Sequence, residues 1–237
     1  MRFARLITAL ILTVFSSPVL AETALTPHTA QYKVKISVVS GQLNTELRKT
    51  ADGYVANHVL KPTGLSRLIT RGTMDVTSTF FSKADGVRPI RFQSVDTIRD
   101  DPDVDLTFDW TTDEVRGTVG EENVLLQLEG IAHDSVSIQY ELMHDLLNGE
   151  PDEQYVLFDV EKMRIANVSI GGEKKIGTKA GTFTAVGIQH QKEGSSRTTT
   201  LWCAKELDYL PVVIEQHRKG KLKFRATLVS YTPSQES

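Results

Sequence analysis

Cysteine is nearly missing from this sequence: Cys203 stands alone among 237 residues. One thiol cannot close an internal disulfide, so stability has to come from an ordinary apolar core, which a chain of this length can supply. No apolar run beyond Phe15 approaches the roughly 20 residues that a membrane-spanning helix needs. Phosphate-binding loops are absent too. The glycines of "SIGGEKKIGTKAGTF" fit neither a Walker nor a dinucleotide spacing, no helix is expected after them, and no G-x-S-x-G elbow occurs. Excess positive charge is also lacking, with 27 Lys and Arg against 30 Asp and Glu. Such a balance disfavours nucleic acid, which is bound through cationic contacts to phosphates.

The N-terminus has a different character. Arg2 and Arg5 precede the apolar run Leu6 to Phe15, and "SSPVLA" follows, with Val19 and Ala21 as the small residues of a cleavage site. This pattern predicts a secretory signal peptide over 1–21, cut after Ala21, and one β-rich domain over 22–237. Glu22 stands where a lipid-anchored precursor would carry cysteine. Without Arg2 and Arg5, 25 basic residues face 30 acidic ones, a net charge of −5 for the mature chain.

From Thr29 onward the apolar period is two, as half-buried strands require. "TAQYKVKISVVSG" puts Ala30, Tyr32, Val34, Ile36 and Val38 on one face, with a turn at Ser40-Gly41, and Asp52-Gly53 marks a hairpin turn. Further strands are predicted at 73–82, 87–99, 103–110, 114–119, 123–128, 154–160, 163–170, 182–192, 197–204, 211–218 and 221–231. Short polar turns between them imply antiparallel neighbours, since parallel pairing needs a long crossover. One segment breaks the rule. "HDSVSIQYELMHDLLNGEP" predicts a helix over about 134–148, with Asp134 as N-cap and Val136, Tyr140, Met143, Leu146 and Leu147 as its apolar stripe. A short helical turn is expected at about 64–70, where Leu65, Leu68 and Ile69 either close one end of the core or form a lid over an apolar cavity. The fold class is therefore mainly β: a curved antiparallel meander, half-barrel or open barrel, with one covering helix.

Candidate chemistry is thin. In "DDPDVDLTFDWTTDE" the spacing of Asp101, Asp103 and Asp105 suggests a calcium loop, but Leu106 and Thr112 occupy the positions that need glycine and glutamate, so a hairpin tip is the better reading. The six histidines, His28, His58, His133, His144, His190 and His217, show no i, i+2 or i, i+4 pair and no completing thiol or carboxylate, so no zinc pattern is read from them. His190 and His217 approach only if their strands pair. His133, Asp134 and Ser135 are adjacent in the chain and cannot aim at one another as a relay. In "RTTTLWCAKELDYLPVVIEQ" Leu201 and Cys203 share one face of a strand and Trp202 takes the other, so Cys203 reads as a small buried hydrophobe in a hairpin that Pro211 enters at a tolerated position.

The motif order "TGLSRLITRG", "DGVRPIRF", "LTFDW", "GTVG", "DSVSIQYELMHDLLNGE", "KAGTFTAV" and "TTTLWCAKELDYLPVVIEQ" resembles a family of bacterial exported proteins, domain of unknown function 3108 (DUF3108), over about His28 to Tyr231. The resemblance implies a periplasmic location and brings no catalytic residues with it. The final Leu-Trp, acidic turn and Leu-Pro-Val is also similar to the periplasmic lipoprotein carriers and their outer-membrane receptor. In those proteins a curved half-barrel under helices holds acyl chains, although Cys203 and Ala204 stand where the carriers have an acidic residue. That likeness implies a fold, and function only by analogy.

The expected function is accordingly a non-enzymatic periplasmic protein that shelters a lipid, another apolar ligand or a lipid-bearing partner, with no metal or cofactor. The residues expected to line its site are Leu65, Leu68, Ile69, Met143, Leu147, Leu201 and Trp202. The alternative is an envelope structural or interaction module with a filled core that docks another protein. A hydrolase with an unrecognised site, testable at His133 or Asp103, comes third.

Overall fold

A computed structural model describes residues 24–159 and 162–234. The expected signal peptide lies outside the described residues. The strands are β1 (His28–Ile36), β2 (Val39–Thr50), β3 (Gly53–Pro62), β4 (Met74–Lys83), β5 (Gly86–Asp96), β6 (Asp101–Asp109), β7 (Glu114–Val119) and β8 (Glu122–Gln127). After the helix-bearing segment follow β10 (Gln154–Asp159), β11 (Lys162–Gly177), β12 (Thr182–Lys192), β13 (Arg197–Ala204), β14 (Leu210–Arg218) and β15 (Lys221–Pro233); β9 is the short Ala132–His133 bridge before the helix. The helices are α1 (Ser66–Ile69) and α2 (Ser137–Asn148).

All 15 strands form one open sheet in the order β8-β7-β6-β5-β4-β3-β2-β1-β15-β14-β13-β12-β11-β10-β9. Two meanders are thus sewn together where β1 pairs with β15. The parallel pair in this sheet is β9 with β10, and α2 lies between them in the chain. A parallel pair cannot be made with a hairpin, so the segment that leaves the period-two pattern is also the one that supplies the crossover.

The sheet is rolled. Phe108 on β6 and Phe158 on β10 are eleven strand positions apart, which in a flat sheet is about 50 Å at ~4.8 Å per strand; their rings stand 6.2 Å apart, edge to face. The rolled inner face and α2 share one large core, with Tyr32, Phe80, Leu47, Leu106, Tyr140 and Leu228 all below 2% exposed. Tyr140 stacks on Phe80 at 5.3 Å, and Phe80 on Tyr54 at 5.7 Å. A second, smaller cluster joins Ile138 and Leu142 of α2 to Tyr155, Leu157, Ile188, Leu201 and Cys203 on the other arm. α2 is therefore wedged between the arms, with one stripe in each cluster.

Three details differ from the sequence reading. The first turn is at Ser37-Val38, with Ser37 at φ 54, rather than at Ser40-Gly41, so Val38 leaves the inner face and is 87% exposed. β11 runs on to Gly177, past the glycines read as turns; the register shifts between Ile170 and Glu173, and Gly171-Gly172 form the bulge that carries the strand through. The helix begins at Ser137, and Asp134 serves it from upstream: its Oδ1 accepts the Val136 and Ser137 N–H groups at 2.8 Å each, and the Asp134 N–H donates to Ser137 Oγ. This is a reciprocal cap of the kind the sequence position implied.

Candidate functional site

Beside α2 the rolled sheet does not close on itself, and a cleft of about 710 Å³ remains between the arms. That volume lies within the range of small-molecule sites. Its floor is apolar: Phe92 from β5, Ile138 and Leu142 from α2, Leu157 from β10, Leu201 from β13 and Phe224 from β15. The mouth is polar and mostly cationic. Arg164, Lys192, Arg197 and Arg218 line it against the single carboxylate Asp159, a local excess of three positive charges.

Part of that charge is compensated. Lys192 Nζ and Arg164 Nε each lie 2.9 Å from Asp159; burial alone would raise this carboxyl, but the two cations override it and hold it below the usual carboxylate range. Arg197 and Arg218 are another matter. They sit directly opposite each other on β13 and β14, a like-charge pairing that disfavours the hairpin unless an anion joins them. His190 and His58 also line the cleft. Burial, with Lys192 nearby, lowers His190 to about 4, and burial, with His28 nearby, lowers His58 to about 4, so both rings are neutral near pH 7.

Behind the cleft α2 carries a polar seam. Asp134, fully buried, accepts Ser78 Oγ–H at 2.6 Å in addition to its capping bonds; burial raises its carboxyl and these donors partly offset the rise. Glu141 is 6% exposed and accepts the Val87 N–H at 2.5 Å. Gly86 makes room for it, since a Cβ there would stand 2.6 Å from Glu141 Oε1. Burial, followed by the nearby Asp145, pushes the Glu141 carboxyl up to about 7. His144 Nδ1 lies 3.3 Å from Asp145 Oδ1, Tyr155 donates to Asp145 Oδ2 at 2.5 Å, and His133 Nε2 stands 4.0 Å from Glu141 Oε1. The reading of His144 as free of any completing carboxylate is thus corrected: Glu141, His144 and Asp145 each bring one donor atom within 4.8 Å of the others. The signal was E-x-x-H-D, spacing i, i+3, i+4 on a helix face, and a search for histidine pairs alone passes over it.

The seven residues expected to form an apolar site are dispersed. Leu201 alone among them lines the cleft. Trp202 is on the opposite face of β13, packed against the large core with Lys174 Nζ 3.3 Å from its ring centroid. Met143 is 1% exposed inside the large core and Leu147 packs at its margin. Leu65, Leu68 and Ile69 are 81%, 76% and 71% exposed; they neither close the core nor line the 180 Å³ apolar pocket formed by Val34, Ile36, Leu60, Met74 and Ile98 nearby. What α1 buries instead is Ser66, whose Oγ accepts the Ser40 N–H at 2.8 Å. The cationic mouth was not foreseen. Arg164, Lys192, Arg197 and Arg218 fall on four successive strands, β11 to β14, and only the pairing register gathers them.

Elsewhere the sequence reading agrees with the geometry. Asp105 lies within the strand expected at 103–110 and is held by Arg91 through two bonds of 2.9 and 2.6 Å. β13 separates His190 from His217, so their strands do not pair. Cys203 is buried, and burial raises its thiol well above the ordinary range. Among the described residues no helix is long and apolar enough to cross a membrane.

Comparison with solved structures places the fold. A crystal structure described as a beta-barrel-like protein of domain of unknown function DUF1849, from Brucella abortus, matches at TM-score 0.58 and 17% identity, covering 89% of this chain and 99% of that one. At that identity the likeness concerns architecture alone. No curated protein matches the sequence. The profile of a protein family of unknown function, DUF3108, matches residues 28–227, which is most of the rolled sheet with α2 inside it, and the chain belongs to that family.

Proposed function

We propose that the protein is a non-enzymatic periplasmic carrier that holds an anionic amphiphile, with the acyl portion on the apolar floor of the cleft and the charged head at its mouth. The observation that carries this reading is charge segregation. A chain whose acidic residues outnumber its basic ones places three excess cations around one apolar cleft. An apolar floor alone suits any greasy ligand; the facing pair Arg197 and Arg218 asks for an anion as well. Burying each large apolar side chain of the floor under an acyl chain is worth roughly 1.5–3 kcal/mol.

Native mass spectrometry of gently purified protein, together with displacement of a fluorescent fatty acid, tests the reading. The expected result is a co-purifying amphiphile, and displacement by a fatty acid well ahead of the alcohol of equal chain length. No co-purifying lipid and no displacement by either would sink it.

A second reading, a docking module of the envelope, is favoured by one feature. Leu65, Leu68, Ile69 and Val38 are all exposed, and the Ser40–Ser66 bond ties the first hairpin, which carries Val38, to α1. An intact cleft that binds nothing, with partner capture lost on Leu68→Glu, would move the assignment there.

A further inference from the structure

The polar seam on α2 is not needed by a lipid cleft, and it is costly. Glu141 sits at 6% exposure, and the half-buried Asp145 beside it adds to the cost of burying its carboxyl. A buried carboxylate keeps a second one beside it when one of them is protonated or when the two share a cation.

Their orientation favours the second arrangement. Each carboxylate spends one oxygen on an anchor outside the cluster: Glu141 Oε2 takes the Val87 N–H and Asp145 Oδ2 takes the Tyr155 O–H, both at 2.5 Å. The other oxygen of each faces inward. Outer hydrogen bonds of this sort are what orient ligands around a metal. His144 Nδ1 and Asp145 Oδ1 are 3.3 Å apart, about the separation of two ligand atoms on a tetrahedral ion with bonds of ~2.0 Å. An independent observation comes from outside the helix. His133 on β9 is 1% exposed, its Nδ1 has no hydrogen-bond partner, and its Nε2 is directed at Glu141 Oε1 from 4.0 Å, too far for a hydrogen bond.

We propose that Glu141, His144 and Asp145, joined by His133, form a divalent transition-metal site that ties α2 to β9. The donor set is two imidazoles and two carboxylates, and tetrahedral N/O coordination of this kind suits zinc. The donor atoms of Glu141, His144 and Asp145 lie within 4.8 Å of one another and His133 Nε2 lies 4.0 Å from Glu141 Oε1; side-chain torsions have to draw them toward the ~3.3 Å of that geometry. Asp145 is at the half-exposed rim of the cluster and gives an ion its way in. The site clamps the helix that separates the two arms, so the ion's role is structural and it sets the width of the cleft.

Chelator-treated full-length mature protein titrated with zinc by calorimetry, with magnesium as control, tests this. The expected result is one zinc per chain with no magnesium heat, a rise in melting temperature on loading, and a tetrahedral d–d absorption when cobalt(II) replaces zinc. Asp145→Asn is at the rim and keeps the fold; it weakens zinc at least tenfold, and His144→Gln abolishes the cobalt band. If His144→Gln does not fold, the wild-type cobalt spectrum and Asp145→Asn decide. No stoichiometric zinc uptake, or uptake undiminished in Asp145→Asn, overturns the site. Lipid displacement is measured separately on apo protein, so failure here leaves the carrier reading standing.

Discussion

The two interiors on either side of α2 are built from the same kinds of residue and end in opposite states. Toward β1–β7 the helix presents Tyr140 and Met143 to a filled core, where Phe80 has no exposed surface and aromatic rings stack at 5.3 and 5.7 Å. Toward β10–β14 it presents Ile138 and Leu142 to a wall that ends in a 710 Å³ cleft rimmed by arginine and lysine. The first side is closed because large rings from β3, β4 and α2 meet in it. On the second the neighbouring residues include Ala166 and Cys203, too small to bridge the remaining gap. Apolar patterning alone therefore does not decide between core and cavity; side-chain volume does.

The sharpest way to break this contrast is to remove one ring from each side. Phe80→Ala empties a position with no solvent contact and is expected to lower stability by about 3–5 kcal/mol in urea unfolding. Phe224→Ala trims the half-buried wall of the cleft and is expected to lower it by less than about 1.5 kcal/mol, with the larger loss appearing in ligand affinity. Equal destabilisation by the two would mean that the cleft is collapsed core.

Acid separates the regions differently. His58 and His190 have folded values of about 4, below the ~6.5 of an unfolded imidazole. Their neutral forms are favoured by folding, so the full contribution is present above about 6.5 and is lost as pH falls toward 4, when the unfolded chain takes up protons that the folded one does not. At ~1.36 kcal/mol per unit the loss is up to about 3 kcal/mol per ring, and less where water in the cleft screens it. Urea unfolding at pH 7 and pH 4.5 measures it. His58→Gln and His190→Gln each flatten the profile if the rings are responsible; an unchanged profile in the double variant assigns acid sensitivity elsewhere.

How much of this was legible in the sequence follows from the range of each interaction. Strands and their antiparallel hairpin neighbours could be read because alternation and turn chemistry act over a few residues, whereas the β1–β15 pairing that joins the two meanders could not; the helix could be read from its caps and stripe. The fate of Leu65, Leu68 and Ile69 could not, since a short apolar turn looks the same whether it covers a cavity or faces solvent. The mouth of the cleft was hidden for the same reason: Arg164 and Arg218 are 54 positions apart and meet through register alone. E-x-x-H-D was visible all along, but only its helical placement brings the carboxylates and the imidazole to one face. Trp202 shows the opposite error. Its aromatic bulk suggested a ligand wall, yet period two turned it away from Leu201, and Lys174 and Gly187 cover its two sides.

At the mouth, Arg197→Glu with Arg218→Glu replaces a repelling pair of cations by a repelling pair of anions. Fold stability is expected to change little, because both residues are exposed at a hairpin end. Affinity for a fatty acid is expected to fall by about tenfold or more, equivalent to ~1.4 kcal/mol, while the matching alcohol keeps its affinity. Loss of both ligands alike would show that the arginines shape the apolar floor instead of recognising the head.

The smallest expected effect is on stability at α1, and it bears on both interiors. Leu68 and Ile69 are 76% and 71% exposed, so charging them removes almost no buried surface, and exposed substitutions of this kind stay within about 0.5 kcal/mol. Leu68→Glu with Ile69→Glu is therefore expected to leave urea unfolding unchanged. Were these two residues a lid that closes in solution, the charged pair would be driven into apolar surroundings, and both the midpoint and ligand exchange would shift. Displacement rates measured on the same double variant decide which holds. An unchanged midpoint with unchanged exchange leaves the apolar tip free for contact outside the molecule, and the cleft with its arginine rim then has to admit its ligand without help from α1.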